Sequence, residues 1–173
     1  MYKNFASNFL VILLSSKLYA QESLKFEGIG EVFLPMGKEI KASQKLGFNI
    51  SGKIAYMLDE KLGFTGSIGF NYFVPNKSET SMNINITEAL FKLGMRYYVG
   101  KNFFVEPQVG YAIGYSTVLS VTQDLGGGIV IAPTIGYRVG GILFHTKYEY
   151  CSVKNNEVKN NLSNFGIGMA IRF

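Results

Sequence analysis

The chain has 173 residues and a formal net charge of +5, which is the size of one domain and too mildly basic for a nucleic-acid-binding protein. Its 20 glycines, 14 phenylalanines and 11 tyrosines, with only 17% charged residues, indicate a β-rich rather than a helical chain. One cysteine excludes an intramolecular disulfide framework and a cysteine-cluster metal site, and no apolar run reaches the roughly 18 residues of a spanning helix.

The first twenty residues have the three parts of a secretory signal peptide. Lys3 supplies a positive charge, Phe9 to Leu14 is a short apolar core, and Ala20 is a small residue suited to cleavage before Gln21. Lys17 is the main departure from this pattern. We therefore predict a signal peptide at residues 1–20 and a mature domain at residues 21–173.

The mature chain alternates apolar and small or polar residues in eight successive segments. The last segment is the clearest, because Phe165, Ile167, Met169, Ile171 and Phe173 are separated by glycine, alanine and arginine. The predicted strands are Leu24–Leu34, Leu46–Leu58, Leu62–Phe73, Ile84–Val99, Phe103–Thr117, Gly128–Val139, Ile142–Tyr150 and Leu162–Phe173.

Three positions within these segments suggest irregular strands. Ile84 and Ile86 break the alternation of the fourth segment, which predicts a bulge or a loop boundary near Thr87. Pro107 and Pro133 lack the N–H that a central strand donates, so each predicts a bulge.

The connections alternate between short turns and longer polar loops. Asp59-Glu60-Lys61, Gly100-Lys101-Asn102 and Gly140-Gly141 are short, whereas the loops near Pro35, Pro75, Ser120 and Asn155 are longer. Aromatic residues gather at both ends of the strands. This arrangement is typical of bacterial outer-membrane barrels, which have short periplasmic turns, longer external loops and two aromatic girdles.

The distribution of charge indicates which face of the barrel is inside. A soluble lipocalin-like barrel would place its large apolar side chains inside, but here one face of each strand collects Phe, Ile, Leu and Tyr while the charges share the other face with small residues. In water the apolar face would expose far more than a few hundred Å². We therefore predict an all-β, eight-stranded antiparallel up-and-down transmembrane β-barrel.

The inward charges nearly balance, and the lumen of an eight-stranded barrel is only wide enough for side chains to fill. We predict an internal ion-pair network that plugs the lumen rather than an open pore, formed with Lys25, Glu27 and Glu31. Its other members are Lys53, Glu88, Lys92, Arg96, Glu106, Arg138, His145, Lys147, Glu149 and Arg172.

The mature chain resembles the small eight-stranded outer membrane protein β-barrel family, the OmpA/OmpX-like barrels. The resemblance rests on the Gly-aromatic strands Phe64–Tyr72 and Phe103–Tyr115 and on the terminal aromatic Phe173. It implies a location in the bacterial outer membrane and a final strand read by the barrel assembly machinery through Phe173. The family's functions include anchoring, adhesion, defence and lipid modification.

The candidate reactive residues point away from an enzyme. His145 is followed by Thr146 and Lys147, so the His-x-Ser arrangement of lipid A deacylases is absent, although a lipid A-modifying enzyme remains the alternative. Gly126-Gly127-Gly128 lacks the Lys-Ser/Thr and the helix of a phosphate-binding loop and is read as a flexible loop end. Cys151 is read as an inert residue, with intermolecular pairing as the alternative. We expect no cofactor and no metal.

The predicted function is a structural or surface-interaction role for a monomeric barrel. Its expected partners are outer-membrane lipid, lipopolysaccharide and the assembly machinery. The loops are mildly basic, and their lysines are candidates for contact with anionic lipopolysaccharide: Lys38, Lys41, Lys45, Lys154 and Lys159. A soluble lipocalin-like ligand-binding barrel is the second alternative.

Overall fold

A computed structural model describes residues 23–36, 44–76, 85–118, 121–155 and 158–173. The predicted signal peptide lies outside these residues. The structure consists of eight antiparallel strands, of which the fifth and sixth are each made of two segments. The strands are β1 (Leu24–Pro35), β2 (Gln44–Met57), β3 (Leu62–Pro75), β4 (Asn85–Val99), β5 (Phe103–Glu106 and Gln108–Val118), β6 (Val121–Ile131 and Thr134–Val139), β7 (Ile142–Asn155) and β8 (Val158–Arg172).

Each strand pairs with its neighbours in sequence, and β8 pairs with β1 to close the sheet. The closing ladder runs from Glu27 opposite Arg172 to Pro35 opposite Asn164. No helix among the described residues is long and apolar enough to cross a membrane. The predicted fold, an eight-stranded antiparallel up-and-down barrel, is confirmed.

The stagger of the strands fixes the width of the barrel. A path along the paired residues starts at Lys25, passes through one residue of each strand, and reaches Asn164 in β8, which pairs with Pro35. The path therefore returns to β1 ten residues beyond its start. Such a stagger tilts eight strands strongly and leaves an interior that side chains can fill.

The two predicted proline bulges are wrong. Register is continuous across Pro107, because Tyr97 faces Val105 on one side of it and Gly94 faces Gln108 on the other. The register is also continuous across Pro133, and the Pro133 carbonyl accepts a hydrogen bond from Tyr148 N at 3.1 Å. Each proline therefore removes a donor from the ladder without adding a residue to the strand.

The irregularity in this part of the sheet lies elsewhere. The register between β5 and β6 shifts between Gly114 and Tyr115, opposite Gly126, whose φ is 87°. This positive φ explains the glycine at position 126, since other residues rarely adopt it. The glycine run predicted to be a loop end lies inside β6, because β6 begins at Val121 rather than at Gly128, whereas β5 ends at Val118, next to its predicted end.

Two other boundaries differ from the predictions. The β4 ladder shows no register shift near Thr87 among the described residues, and Ile86 points inward, in phase with Glu88, and packs beside the Phe33–Phe73 pair. The predicted loop Ser152–Asn161 is largely strand, since β7 and β8 extend into it. The alternation was misread at the start of β4 because Ile86, an apolar residue, enters the lumen there.

The outer surface is almost entirely apolar. Its most exposed large residues include Ile50, Ile68 and Ile167, at 72%, 66% and 63% exposure. The aromatic residues that the sequence places at the strand ends, such as Tyr56 and Phe64 near the short turns and Phe48 and Tyr72 near the long loops, are exposed, whereas Tyr150 is partly buried. The predicted assignment of faces is therefore confirmed.

Asp59 caps the turn between β2 and β3. Its carboxylate accepts hydrogen bonds from the N–H groups of Lys61 and Leu62, both at 2.7 Å. These two bonds hold the pKa of Asp59 below its ordinary value. A lowered folded-state pKa means that the turn is stabilised above the unfolded-state pKa and loses this stabilisation as the pH falls through the folded-state pKa.

We expect an NMR titration of the folded protein to give an Asp59 pKa below the value for the same residue in the urea-unfolded chain. The unfolded chain is the matched control, because it has the same sequence without the turn. Equal midpoints in the two states would contradict the role of the backbone hydrogen bonds.

Candidate functional site in the lumen

The lower half of the lumen, towards the short turns, holds an ion cluster centred on Arg96. The Arg96 guanidinium donates to Glu27 at 2.6 and 2.9 Å and to Glu106 at 2.6 Å. Lys53 donates to Glu106 at 2.7 Å and Arg172 to Glu27 at 2.7 Å. These five residues, called the lower cluster below, come from five different strands, β1, β2, β4, β5 and β8.

An upper cluster lies nearer the long loops. Glu31 contacts His145 Nε2 at 2.7 Å and accepts a short hydrogen bond from Lys147. Glu149 accepts from Lys92 at 2.8 Å and lies 3.2 Å from the Lys147 ammonium. The five residues belong to β1, β4 and β7. The upper cluster therefore ties together strands that are not neighbours in the sheet, β1 to β7 and β4 to β7.

Burial makes both clusters electrostatically strong. Arg96 and Glu106 are 2% and 0% exposed. Charges removed from water interact strongly, but each needs a partner, since an unpaired buried charge costs several kcal/mol. The carboxylates and cations of the two clusters are all paired. The charges that the sequence places on the inward face of the strands therefore have partners there.

Three predicted members of the network lie outside these ion pairs. Lys25, near the start of β1, is half-buried and forms no ion pair with another described residue. Glu88 is buried but, among the described residues, forms no ion pair, and it accepts a hydrogen bond from Asn71 at 3.0 Å. Arg138 lies at the end of the barrel, where it donates to Lys101 O at 2.9 Å and stacks over Tyr98. The other predicted residues are brought together in the two clusters.

Neutral polar residues that the sequence analysis did not assign to the network complete it. Asn71 donates to both Glu88 and Glu149, and Asn49 donates to Asn71 at 2.8 Å. Thr65 and Gln108 both donate to Glu106, at 3.0 and 2.7 Å. Their inward parity was visible in the sequence, but their partners depend on strand register and on the stagger of the barrel.

Apolar side chains, also unassigned from the sequence, lie above and below the charged clusters. Phe33 and Phe73 make an edge-to-face pair towards the long loops, with ring centroids 5.1 Å apart. Tyr98 and Phe104 pack together near the short turns, and Arg96 stacks over Phe104. The sequence did indicate that these side chains face the lumen. Tyr98 lies two positions from Arg96 and Phe104 two positions from Glu106, and residues two positions apart in a strand share a face.

His145 and Cys151 are the reactive side chains that the structure places in the barrel wall. His145 is bonded to Glu31, but no serine, threonine or cysteine among the described residues forms a hydrogen bond with its ring, as a nucleophile would require. Within the described ranges there is no group of metal-ligating residues. Cys151 is a buried free thiol in a small apolar cluster with Leu90, Ala112, Val130 and Ala132.

Neither a protein-family model nor a curated protein sequence matches the chain. Among solved structures, it is similar to Ail, the attachment invasion locus protein of Yersinia pestis, with a TM-score of 0.62, 13% identity, and coverage of 87% of this chain and 99% of Ail. A structure of Ail with the heparin analogue sucrose octasulfate gives the same TM-score and identity, with coverage of 87% and 98%.

Two further solved structures are also similar to the chain. Neisserial surface protein A has a TM-score of 0.59 and 12% identity, with coverage of 87% of this chain and 97% of that protein. The N-terminal barrel of Pseudomonas aeruginosa OprF has a TM-score of 0.54 and 11% identity, with coverage of 87% and 96%. The protein has the fold of the small eight-stranded outer-membrane β-barrels.

Proposed function

We propose that this protein is a bacterial outer-membrane barrel, exported by a signal peptide at residues 1–20, with a structural or surface-interaction role and no enzymatic activity. The observation that carries the proposal is the filled lumen: the buried lower and upper clusters occupy the space through which ions would pass. The apolar outer face supports a lipid environment.

Close packing around the inward glycines supports a lumen closed to ions. A methyl group added at Gly94 would lie 2.7 Å from Thr65 Oγ1 and 2.9 Å from Gln108 Cγ. At Gly168 it would lie 2.7 Å from His145 Nε2. Space too small for a methyl group is also too small for a hydrated ion.

We expect the refolded protein to produce no stepwise currents in a planar lipid bilayer, because a passing ion would have to break the paired charges. Gel mobility before and after heating verifies folding in the same sample. Any currents are compared with those of Lys53→Glu, which reverses a charge in the lower cluster. Currents whose ion selectivity changes in this variant would contradict the closed lumen, whereas unchanged currents come from contaminants.

The surface role rests on the external loops and their positive charge. Lys45 is exposed at the start of β2, while Lys38 and Lys41 and the side chains of Lys154 and Lys159 lie outside the described residues. Ail, which shares the fold, has been crystallised with a sulfated polyanion. We propose that the basic loops contact the phosphate groups of lipopolysaccharide.

Reversing these five lysines to glutamate is expected to reduce binding to lipopolysaccharide vesicles by at least tenfold at low salt, because each lysine then repels the phosphates. Reversing Lys61, which is exposed in a short turn at the opposite end, is the matched control. Equal binding by the two variants would refute the loop contact.

The proposal also covers the recognition of Phe173 during assembly and the number of chains in the functional barrel. Phe173 is 79% exposed at the end of the chain, beside the lipid-facing Phe26, to whose carbonyl its N–H donates at 2.8 Å. This position leaves its ring accessible to the barrel assembly machinery. The clusters within one chain pair their own charges, so we propose that the barrel functions as a monomer.

A further inference from the structure

A small polar cavity lies between the lower and upper clusters. It offers about 10 Å³ to the centre of a water-sized sphere. Lys53 of the lower cluster and Lys92 of the upper cluster both line it, together with Ser51, Ser67, Gln108 and Thr134. A cavity holds a water molecule when it offers roughly this volume and at least two polar partners.

The hydrogen bonds of the lining residues define what fits there. Among the described residues, Lys53 donates one hydrogen bond, to Glu106, and Lys92 one, to Glu149, of the three that each ammonium can donate. The Gln108 amide nitrogen donates to Glu106, which leaves its carbonyl oxygen as an acceptor. The wall of the cavity thus has cationic donors and neutral acceptors, and it also contains the Glu31 carboxylate, which is already paired with His145 and Lys147.

We propose that this cavity binds one internal water molecule that joins the two ion clusters. Such a water accepts hydrogen bonds from Lys53 and Lys92 and donates to the Gln108 carbonyl and to the Ser67 hydroxyl. Four partners match the capacity of a water molecule. The water completes one continuous hydrogen-bonded path from Glu106 to Glu149, and therefore from the lower to the upper half of the lumen.

A chloride ion fits the site less well than water. Glu31 lines the same cavity and repels an anion, and the Gln108 carbonyl has no hydrogen to offer one. A metal cation is opposed by the two ammoniums in the wall. Water alone satisfies both the donors and the acceptor. This inference does not depend on any surface role of the protein.

The test is a high-resolution crystal structure of the full-length folded barrel, grown in bromide. We expect a peak without anomalous signal, about 2.7–3.2 Å from both Lys53 Nζ and Lys92 Nζ. An anomalous peak would identify an anion and overturn the proposal. The absence of any peak, at a resolution that shows other buried waters, would overturn it as well.

Substitutions at Ser67 test the same site independently. Ser67→Val fills part of the cavity with a methyl group and removes a hydroxyl, so we expect the peak to be lost. Ser67→Ala keeps the space and three partners, so the peak should remain. Ile68→Val, on the lipid side of the same strand, is the control. A peak that persists in Ser67→Val would place the water elsewhere, and if that variant does not fold, the wild-type map alone decides.

Discussion

Replacing Arg96 with methionine is expected to lower the free energy of unfolding by about 3–5 kcal/mol. The Arg96 guanidinium pairs with both Glu27 and Glu106, and all three residues are almost completely buried. Methionine is close to the arginine stem in size, so the main change is the loss of charge. Glu106 keeps Lys53 and Glu27 keeps Arg172, but each carboxylate loses its closest partner.

Urea unfolding in phospholipid vesicles measures this change, with the folded fraction read from gel mobility because the chain contains no tryptophan to report fluorescence. Arg138→Met is the matched control. Arg138 lies at the end of the barrel and donates to a backbone carbonyl, so its loss should cost about 1 kcal/mol.

A double-mutant cycle separates the ion pairs from general packing. In a Glu27→Gln, Glu106→Gln background, Arg96→Met no longer takes the closest cation away from two carboxylates, so its effect should differ by at least about 1 kcal/mol from the effect in the wild type. An equal effect in both backgrounds, or a loss as small as that of Arg138→Met, would refute the central position of Arg96.

Replacing Ile68 with arginine is expected to destabilise the membrane-inserted barrel by about 2–4 kcal/mol. Ile68 lies at the middle of β3 on the apolar outer face and is 66% exposed. At the centre of a bilayer an arginine side chain loses its hydration, whereas at an exposed site in water the same substitution changes stability by about 0.5 kcal/mol or less. The size of the effect therefore reports whether lipid or water covers this face.

Val99→Arg is the control for the lipid-face substitution. Val99 is also exposed but ends β4 beside a short turn, where an arginine should cost about 0–1 kcal/mol. Unfolding in vesicles of the two variants gives the comparison. Equal and small costs at the two positions would contradict a transmembrane location of the barrel.

The fold was predictable because lipid imposes the same rule on every strand. Alternation located the eight strands, and Gly100 and Gly140 marked two of the short turns, where both have a positive φ. The rule weakens where lipid no longer covers the sheet. For that reason the outer parts of β6, β7 and β8 were read as loops, although backbone pairing alone continues the ladder there.

Which residues face the lumen was more predictable than which of them form ion pairs with each other. Parity placed Arg96, Glu106 and Lys53 inside, but only the stagger of the strands brings Arg96 to Glu27, which is 69 positions away in sequence. The alternation of residues also places Phe33 and Phe73 on the inward face. Their position was overlooked because large apolar residues were expected only on the outer face. Pro107 and Pro133 were misread because a missing donor does not require an inserted residue.

The bonds between Arg172 and Glu27 have a consequence for biosynthesis. They join residues 145 positions apart, in the first and last strands of the barrel. A nascent or prematurely terminated polypeptide lacking β8 would leave Glu27 without one of its two cations and β1 with an open edge. Closure of the cylinder therefore requires β8, and a fragment without it would expose an unpaired edge of β1 to pairing with other chains.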